Sequence, residues 1–184
     1  MKFERMMAGS AGASRDTHLG VAYRTAWKKA GQLTSHLEGE VVDPFARSCD
    51  WGTITNDINP KYRTDFNLES LEFLETIQKK GIKARIVLMD PPFSDNQSEK
   101  YAKEVDGEVP NFYACDSSHA SKVFRVASEL LISGGILVKL GYNTSKPHPS
   151  LELVHLYVCN LGGMRNDVLI SLWRNPNQTL PLEA

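Results

Sequence analysis

The chain has 184 residues, 41% of them hydrophobic, enough to bury one sizeable core and short of two independent domains of ordinary size. Its 21 Lys and Arg against 22 Asp and Glu leave a formal charge of -1, which excludes capture of a polyanion by net charge, so any nucleic-acid contact must be local or come through a partner. The cysteines, Cys49, Cys115 and Cys159, are widely and irregularly spaced without a C-x-x-C pair, which argues against zinc and a redox dithiol and fits a reducing cytoplasm.

Taken in chain order, Met1 to Arg15 is polar and rich in Gly, Ser and Ala. It does not read as a secretory signal. No run of 18 apolar residues occurs anywhere, so no membrane span is expected and the protein reads as soluble. From Thr17 to His36, Leu19, Val21, Ala22, Ala26 and Trp27 suit an irregular helical lead-in with Lys28 and Lys29 on its outer side. Glu40 to Phe45 reads as a buried strand, and Thr53 to Ile58 as a second that ends on Asp57. Between Leu68 and Lys80 the apolar residues Leu68, Leu71, Phe73, Leu74 and Ile77 recur at helical spacing, with Gly81 as the stop. Ala84 to Met89 is a strand interrupted only by Arg85, and it delivers Asp90-Pro91-Pro92-Phe93 at its carboxyl end.

A polar stretch from Ser94 to Ser118 follows and reads as a long functional loop. Ala120 to Ile132 is amphipathic and helical, closed by Gly134-Gly135 before a strand from Ile136 to Leu140. Leu153 to Asn160 and Asp167 to Trp173 are strand-like runs around Gly162-Gly163 that can pair as a hairpin. Strands alternating with helices predict an α/β fold, a mostly parallel Rossmann-like sheet with a C-terminal antiparallel hairpin and helices on both faces. We read one domain over residues 1–184, with residues 1–39 as the lead-in and 94–118 as a substrate loop.

In open α/β sheets, ligands gather outside the carboxyl ends of the strands. Here those ends carry Asp43-Pro44-Phe45-Ala46-Arg47-Ser48, then Asn56-Asp57-Ile58-Asn59-Pro60, then Asp90-Pro91-Pro92-Phe93. A carboxylate ending the second strand can accept both hydroxyls of a ribose, the role expected of Asp57; an Asp making a turn before Pro60 is the plainer alternative. In the third segment Asp90 and the Pro91 carbonyl can both accept hydrogen bonds from an aromatic amine, whose delocalised lone pair makes it a poor nucleophile. Both bonds favour a more pyramidal nitrogen. The two prolines stiffen the backbone, and Phe93 can stack on an extruded base. The plainer alternative is a rigid proline turn after a strand.

At these residues the sequence resembles the amino-methylating DNA methyltransferases, with their Asp-Pro-Phe-x-Gly-x-Gly and Asp/Asn-Pro-Pro-Tyr/Phe motifs. It is most similar to the short phage-type adenine methylases, in Asp43-Pro44-Phe45-Ala46-Arg47 and Asn56-Asp57-Ile58-Asn59-Pro60, over about Val41 to Trp173. The resemblance implies a seven-stranded methyltransferase fold that binds S-adenosylmethionine (SAM). It sets Asp43, Pro44 and the Phe45 to Ser48 backbone near the methionine part, Asp57 and Ile58 near the ribose, and Glu69 near the adenine or its amino group. A solvated acid at a helix start is the other reading of Glu69. The motif's usual glycines are replaced here by Arg47 and Cys49, while Gly52 follows close by. The larger members' separate target-recognition domain has no room after Phe93.

Sequence readout then falls to the lead-in and to the 94–118 loop, which offers Lys100, Tyr101, Lys103, Phe112 and Tyr113 against Glu99, Glu104, Asp106 and Glu108. A solvated loop is the alternative. Tyr113 and Tyr142 are candidate base contacts, with packing the alternative for Tyr142. The histidines, His18, His36, His119, His148 and His155, lack metal-ligand spacing, so no metal is assigned. The expected activity is methyl transfer from SAM to an exocyclic amino group, DNA adenine N6 foremost, catalysed by Asp90, Pro91, Pro92 and Phe93. Cytosine N4, an RNA base, and a noncatalytic SAM-fold module that binds nucleic acid or a protein are the alternatives. The expected partner is DNA, with RNA as the other candidate, and the expected location is the cytoplasm, that of the host for a viral chain.

Overall fold

The computed structural model describes residues 1–7, 21–92, 95–105, 118–160 and 167–176. In chain order its elements are β1 (Lys2–Met7), α1 (Val21–Leu33), β2 (Glu40–Asp43), β3 (Ile54–Thr55), α2 (Ser70–Lys79), β4 (Ala84–Met89), α3 (Asp95–Val105), α4 (Ser118–Leu130), β5 (Leu131–Gly141), β6 (Glu152–Asn160) and β7 (Val168–Arg174). They form one seven-stranded sheet in the order β1-β6-β7-β5-β4-β2-β3. Only β7 runs against the others: it pairs antiparallel with both β5 and β6, while the remaining ladders are parallel.

The expected terminal hairpin is therefore present, with Val138 opposite Leu172 on one side of β7 and Tyr157 opposite Ile170 on the other. Two hydrophobic layers sandwich the sheet. Period-two alternation sends Val41, Ile86, Leu88, Ile136 and Val138 to a core with Tyr23, Ala26 and Ala30 of α1. It sends Val42, Val87, Met89 and Leu137 to the opposite core, with Phe73, Leu74 and Ile77 of α2 and Val123, Val126 and Leu130 of α4. Helices thus cover both faces, as a mostly parallel sheet requires. No described helix is long and apolar enough to cross a membrane.

Several boundaries differ from the sequence reading. The N-terminal segment supplies a strand: Lys2 to Met7 pairs in parallel with His155 to Asn160 at the sheet edge, where backbone ladder bonds need no apolar pattern. The helical lead-in is narrower than Thr17 to His36, running from Val21 to Leu33, with Lys28 exposed and Lys29 half-buried. The strand expected to reach Phe45 stops at Asp43, because Pro44 cannot donate to a ladder and the Asp43 carboxylate turns the chain by accepting the Phe45 N–H at 3.1 Å. Only Ile54 and Thr55 of the expected Thr53 to Ile58 strand pair as a strand, since Asn56 and Asp57 spend their side chains on neighbouring backbone.

The 94–118 stretch is likewise not all loop. Asp95 to Val105 is helical, because Glu99, Lys100, Ala102, Lys103 and Glu104 are good helix formers despite their polarity. Residues 106–117 of the expected loop, with Phe112, Tyr113 and Cys115, lie outside the described residues, as do His18, Phe93 and Gly162-Gly163. The helix expected over Ala120 to Ile132 spans Ser118 to Leu130, and β5 starts at once, at Leu131, so Gly134 and Gly135 lie inside the strand and not in a turn before it.

Gly135 has no room for a side chain. A Cβ there would sit 2.9 Å from the Ile132 carbonyl oxygen and 3.2 Å from those of Ala84 and Arg85, all backbone atoms that cannot swing aside. Gly135→Ala is therefore expected to cost roughly 2–3 kcal/mol by overpacking. A denaturant midpoint equal to that of the unchanged protein would refute this.

Candidate active site

The strand order reverses between β2 and β4, and a crevice opens at such a switch point beyond the carboxyl ends of the strands. Asp43 and Asp90 both project there on the α1 side. Each stands two residues past a strand residue of the α1-side core, Val41 in β2 and Leu88 in β4, and side chains two apart share a face. Asp43 is buried and Asp90 half-buried. Pro91 and Pro92 are both buried, which fixes the corner that carries Asp90.

A tyrosine absent from the sequence reading lies beside these two carboxylates. Tyr23 of α1 is buried, stacks on Trp51 with ring centroids 5.5 Å apart, and Trp27, one helical turn later, stacks on the same indole at 5.7 Å. Burial drives the Tyr23 hydroxyl well above its ordinary pKa, and the Asp43 and Asp90 carboxylates push it further. It is a neutral hydroxyl at physiological pH. Burial also raises the Cys49 thiol to about 11, with Asp43 and Asp90 adding to the shift, so Cys49 is no thiolate nucleophile at neutral pH. Tyr23 and Cys49 both lie close enough to Asp43 and Asp90 for the two carboxylates to add to the effect of burial.

The loop after β2 is wired to the loop after β3. Ala46 N–H donates to the Asn56 carbonyl at 2.9 Å, and Arg47 N–H donates to the Asp57 carboxylate at 3.1 Å. The other Asp57 oxygen accepts the Asn59 N–H at 2.8 Å. Asn56, almost wholly buried, donates its amide to the Pro44 and Leu68 carbonyls and accepts the Leu68 N–H at 2.9 Å. Ile58 and Ser48 sit at the rim of these loops, half-buried and exposed respectively, and Phe45 packs at the edge of the α2-side core.

Arg47 stands where the motif it resembles has glycine, and its φ is +49°, the left-handed conformation that glycine favours. The backbone shape survives without the glycine, at a strain of about 1 kcal/mol for a residue bearing a Cβ. Its side chain is held in return. The guanidinium lies 5.2 Å from the Tyr62 ring centroid and 5.1 Å from that of Tyr101, and Nη2 donates to the Tyr62 hydroxyl at 2.7 Å. Close approach also explains Gly52, where a Cβ would lie 3.1 Å from that of Asp43 and 3.2 Å from the Ile54 carbonyl oxygen.

Glu69 caps α2: its carboxylate accepts the Leu71 N–H at 2.8 Å and the Ser70 hydroxyl at 2.6 Å, and it meets His119 Nε2 of α4 at 3.2 Å. These bonds make Glu69 the N-cap of α2. Tyr142 follows β5 and is 37% exposed. Its loop is anchored by Lys139, a buried lysine the sequence reading passed over, whose ammonium donates to Asn143 Oδ1 at 3.0 Å and to the carbonyl and hydroxyl of Ser145 at 2.8 Å each. A lone Lys within an apolar strand was the available signal for it.

The whole-chain architecture matches solved structures at low sequence identity. The N-methyltransferase NodS from Bradyrhizobium japonicum WM9, crystallised with S-adenosyl-L-homocysteine, superposes with a TM-score of 0.55 over 90% of this chain and 94% of its own, at 12% identity. The fold is that of the class I SAM-dependent methyltransferases. TrmN from Thermus thermophilus shares this methyltransferase fold with a TM-score of 0.55, 16% identity and 90% coverage of this chain, which spans 52% of that longer one. No family model and no curated protein matches the sequence.

Proposed function

We propose that the protein is a SAM-dependent methyltransferase acting on an exocyclic amino group of a nucleobase, with adenine N6 of DNA as the foremost substrate. The observation that carries this reading is the placement of Asp43 and Asp90 on one face of adjacent strands at the switch point, the second fixed by buried Pro91 and Pro92.

The residues present fit the cofactor. Position 47 keeps the left-handed backbone of a close-approach loop, Gly52 lets its backbone pack closely against Asp43, and Asp57 supplies a carboxylate at the second strand end. One Asp57 oxygen accepts the Arg47 N–H and the other the Asn59 N–H, which fixes the carboxylate at the strand end where a ribose would lie. Asp43, Pro44 and the backbone from Phe45 to Ser48 would hold the methionine end, with Ile58 beside the adenosyl group. SAM supplies an activated methyl on a sulfonium. The chain's part is positioning: Asp90 and the Pro91 carbonyl accept hydrogen bonds from the two N–H groups of the target amine, and the fixed corner holds its nitrogen in line. Phe93 is assigned to stack on the base, and Tyr142 and Tyr113 to contact it.

A noncatalytic binding module loses its main argument, because the arginine that replaces a motif glycine leaves the backbone in a glycine-like conformation. The test is incubation with methyl-labelled SAM and DNA, followed by mass spectrometry of the nucleosides. N6-methyladenine is expected. N4-methylcytosine, or label in RNA alone, would move the substrate while keeping the chemistry, and no label in any nucleic acid would sink the proposal.

A further inference from the structure

We propose that the Arg47 side chain, clasped between Tyr62 and Tyr101, is a positioning residue that holds α3 across the cofactor crevice and so sets how long the methyl donor is retained. The inference rests on the methyltransferase reading above and deepens it.

The clasp joins three strand ends. α3 begins five residues after Asp90, so one end of the helix is tied to the corner after β4. Its Tyr101 ring lies 5.1 Å from the Arg47 guanidinium, which belongs to the loop after β2, and Tyr62, 5.2 Å away on its own side, belongs to the segment after β3. The last turn of α3 is pinned again, where Glu104 meets Lys61 Nζ at 3.0 Å. Lys61 in turn lies 5.0 Å from the Tyr62 ring centroid. The helix therefore spans from β4 to the loops of β2 and β3, attached to the first through Arg47 and to the second through Lys61.

The same residue shapes the cradle below. Arg47 N–H is bonded to Asp57, so backbone and side chain of one residue couple the ribose-side carboxylate to the roof. Glycine at this position would keep the backbone and have no clasp. An arginine that tolerates positive φ exchanges backbone ease for a hold on α3.

The test uses S-adenosyl-L-homocysteine as the probe and the full chain, with affinity from calorimetry and dissociation rate from stopped-flow fluorescence. Arg47→Gly is expected to leave the melting temperature nearly unchanged, because relief of backbone strain offsets the lost side-chain contacts, yet to bind about tenfold more weakly through faster dissociation. Tyr101→Leu is expected to weaken binding to a similar degree, whereas Tyr101→Phe, which keeps the ring over the guanidinium, stays within about twofold. Tenfold corresponds to about 1.4 kcal/mol, within the range of one desolvated cation–π contact. A merely structural role would lower melting temperature and affinity together in Arg47→Gly. Wild-type affinity in Arg47→Gly or Tyr101→Leu, or equal weakening by Tyr101→Phe and Tyr101→Leu, would overturn the inference and leave the methyltransferase reading standing. Failure of the unchanged protein to bind the probe would overturn both.

Discussion

Asp90→Ala is expected to reduce methyl transfer by on the order of 10³-fold or more while S-adenosyl-L-homocysteine still binds with an affinity close to that of the unchanged protein. The physical reason is that the carboxylate does its work on the acceptor. An amine conjugated to a purine ring keeps its lone pair in the π system, and an acceptor that hydrogen-bonds one of its N–H groups redirects that pair. Removing one preorganised polar group aimed at the reacting centre typically costs 10²–10³-fold; here the same deletion also frees the amine to rotate, which adds a loss of orientation. Asp90→Asn keeps an acceptor oxygen without the charge and is expected to fall between. Asp90 is half-buried beside Pro91 and lies past the last strand residue of β4, so the alanine variant should fold. Single-turnover methylation alongside calorimetry checks both halves. Retained turnover would remove Asp90 from its assigned role.

Asp57→Ala should act on the other half of the site, lowering S-adenosyl-L-homocysteine affinity by about 10²-fold or more and stability as well. Asp57 is 8% exposed, and its carboxylate accepts the Arg47 and Asn59 N–H groups. Hydrogen bonds to charged groups contribute ~1.5–3 kcal/mol each, and deletion leaves both donors unpaired. A stability loss of about 3 kcal/mol follows, a fall of roughly 6–12 °C in melting temperature for a chain of this size. Asp57→Asn restores one oxygen and separates the contributions: it should recover the Arg47 or the Asn59 bond, and with it part of the stability, while affinity stays low because a carboxylate is needed for two ribose hydroxyls. Should Asp57→Ala bind the probe as tightly as the unchanged protein, neither the ribose role nor the bracing of the loop holds.

Why some of this was readable in advance follows from the range of the forces involved. β4 was legible to the residue, from Ala84 to Met89, because an apolar run buried on both faces is a local signal bounded by a charge and a proline. α2 was legible within two residues at its start, for apolar residues at helical spacing and a stop glycine, Gly81 at φ +73°, are also local. β1 was not. It holds its place by ladder bonds to β6, a partner some 150 residues away, and its exposed Phe3 follows from lying at the sheet edge, so nothing in Lys2 to Met7 announces a strand. α3 was hidden differently, because its polarity resembled a loop and only helix propensity pointed the other way.

The candidate site divides along the same line. The sequence by itself determined the chemical inventory: an acid at each of three strand ends, and a proline-stiffened corner behind Asp90, all read from short contiguous segments. Only the tertiary structure decided that Asp43 and Asp90 share a face beside Tyr23, that Arg47 takes a glycine-like backbone, and that Tyr62 and Tyr101 close on its side chain. Those residues come from five separate segments. Strand register and helix docking bring them together, and both are set by burying two apolar layers over the whole sheet, a sum that no short stretch of sequence contains.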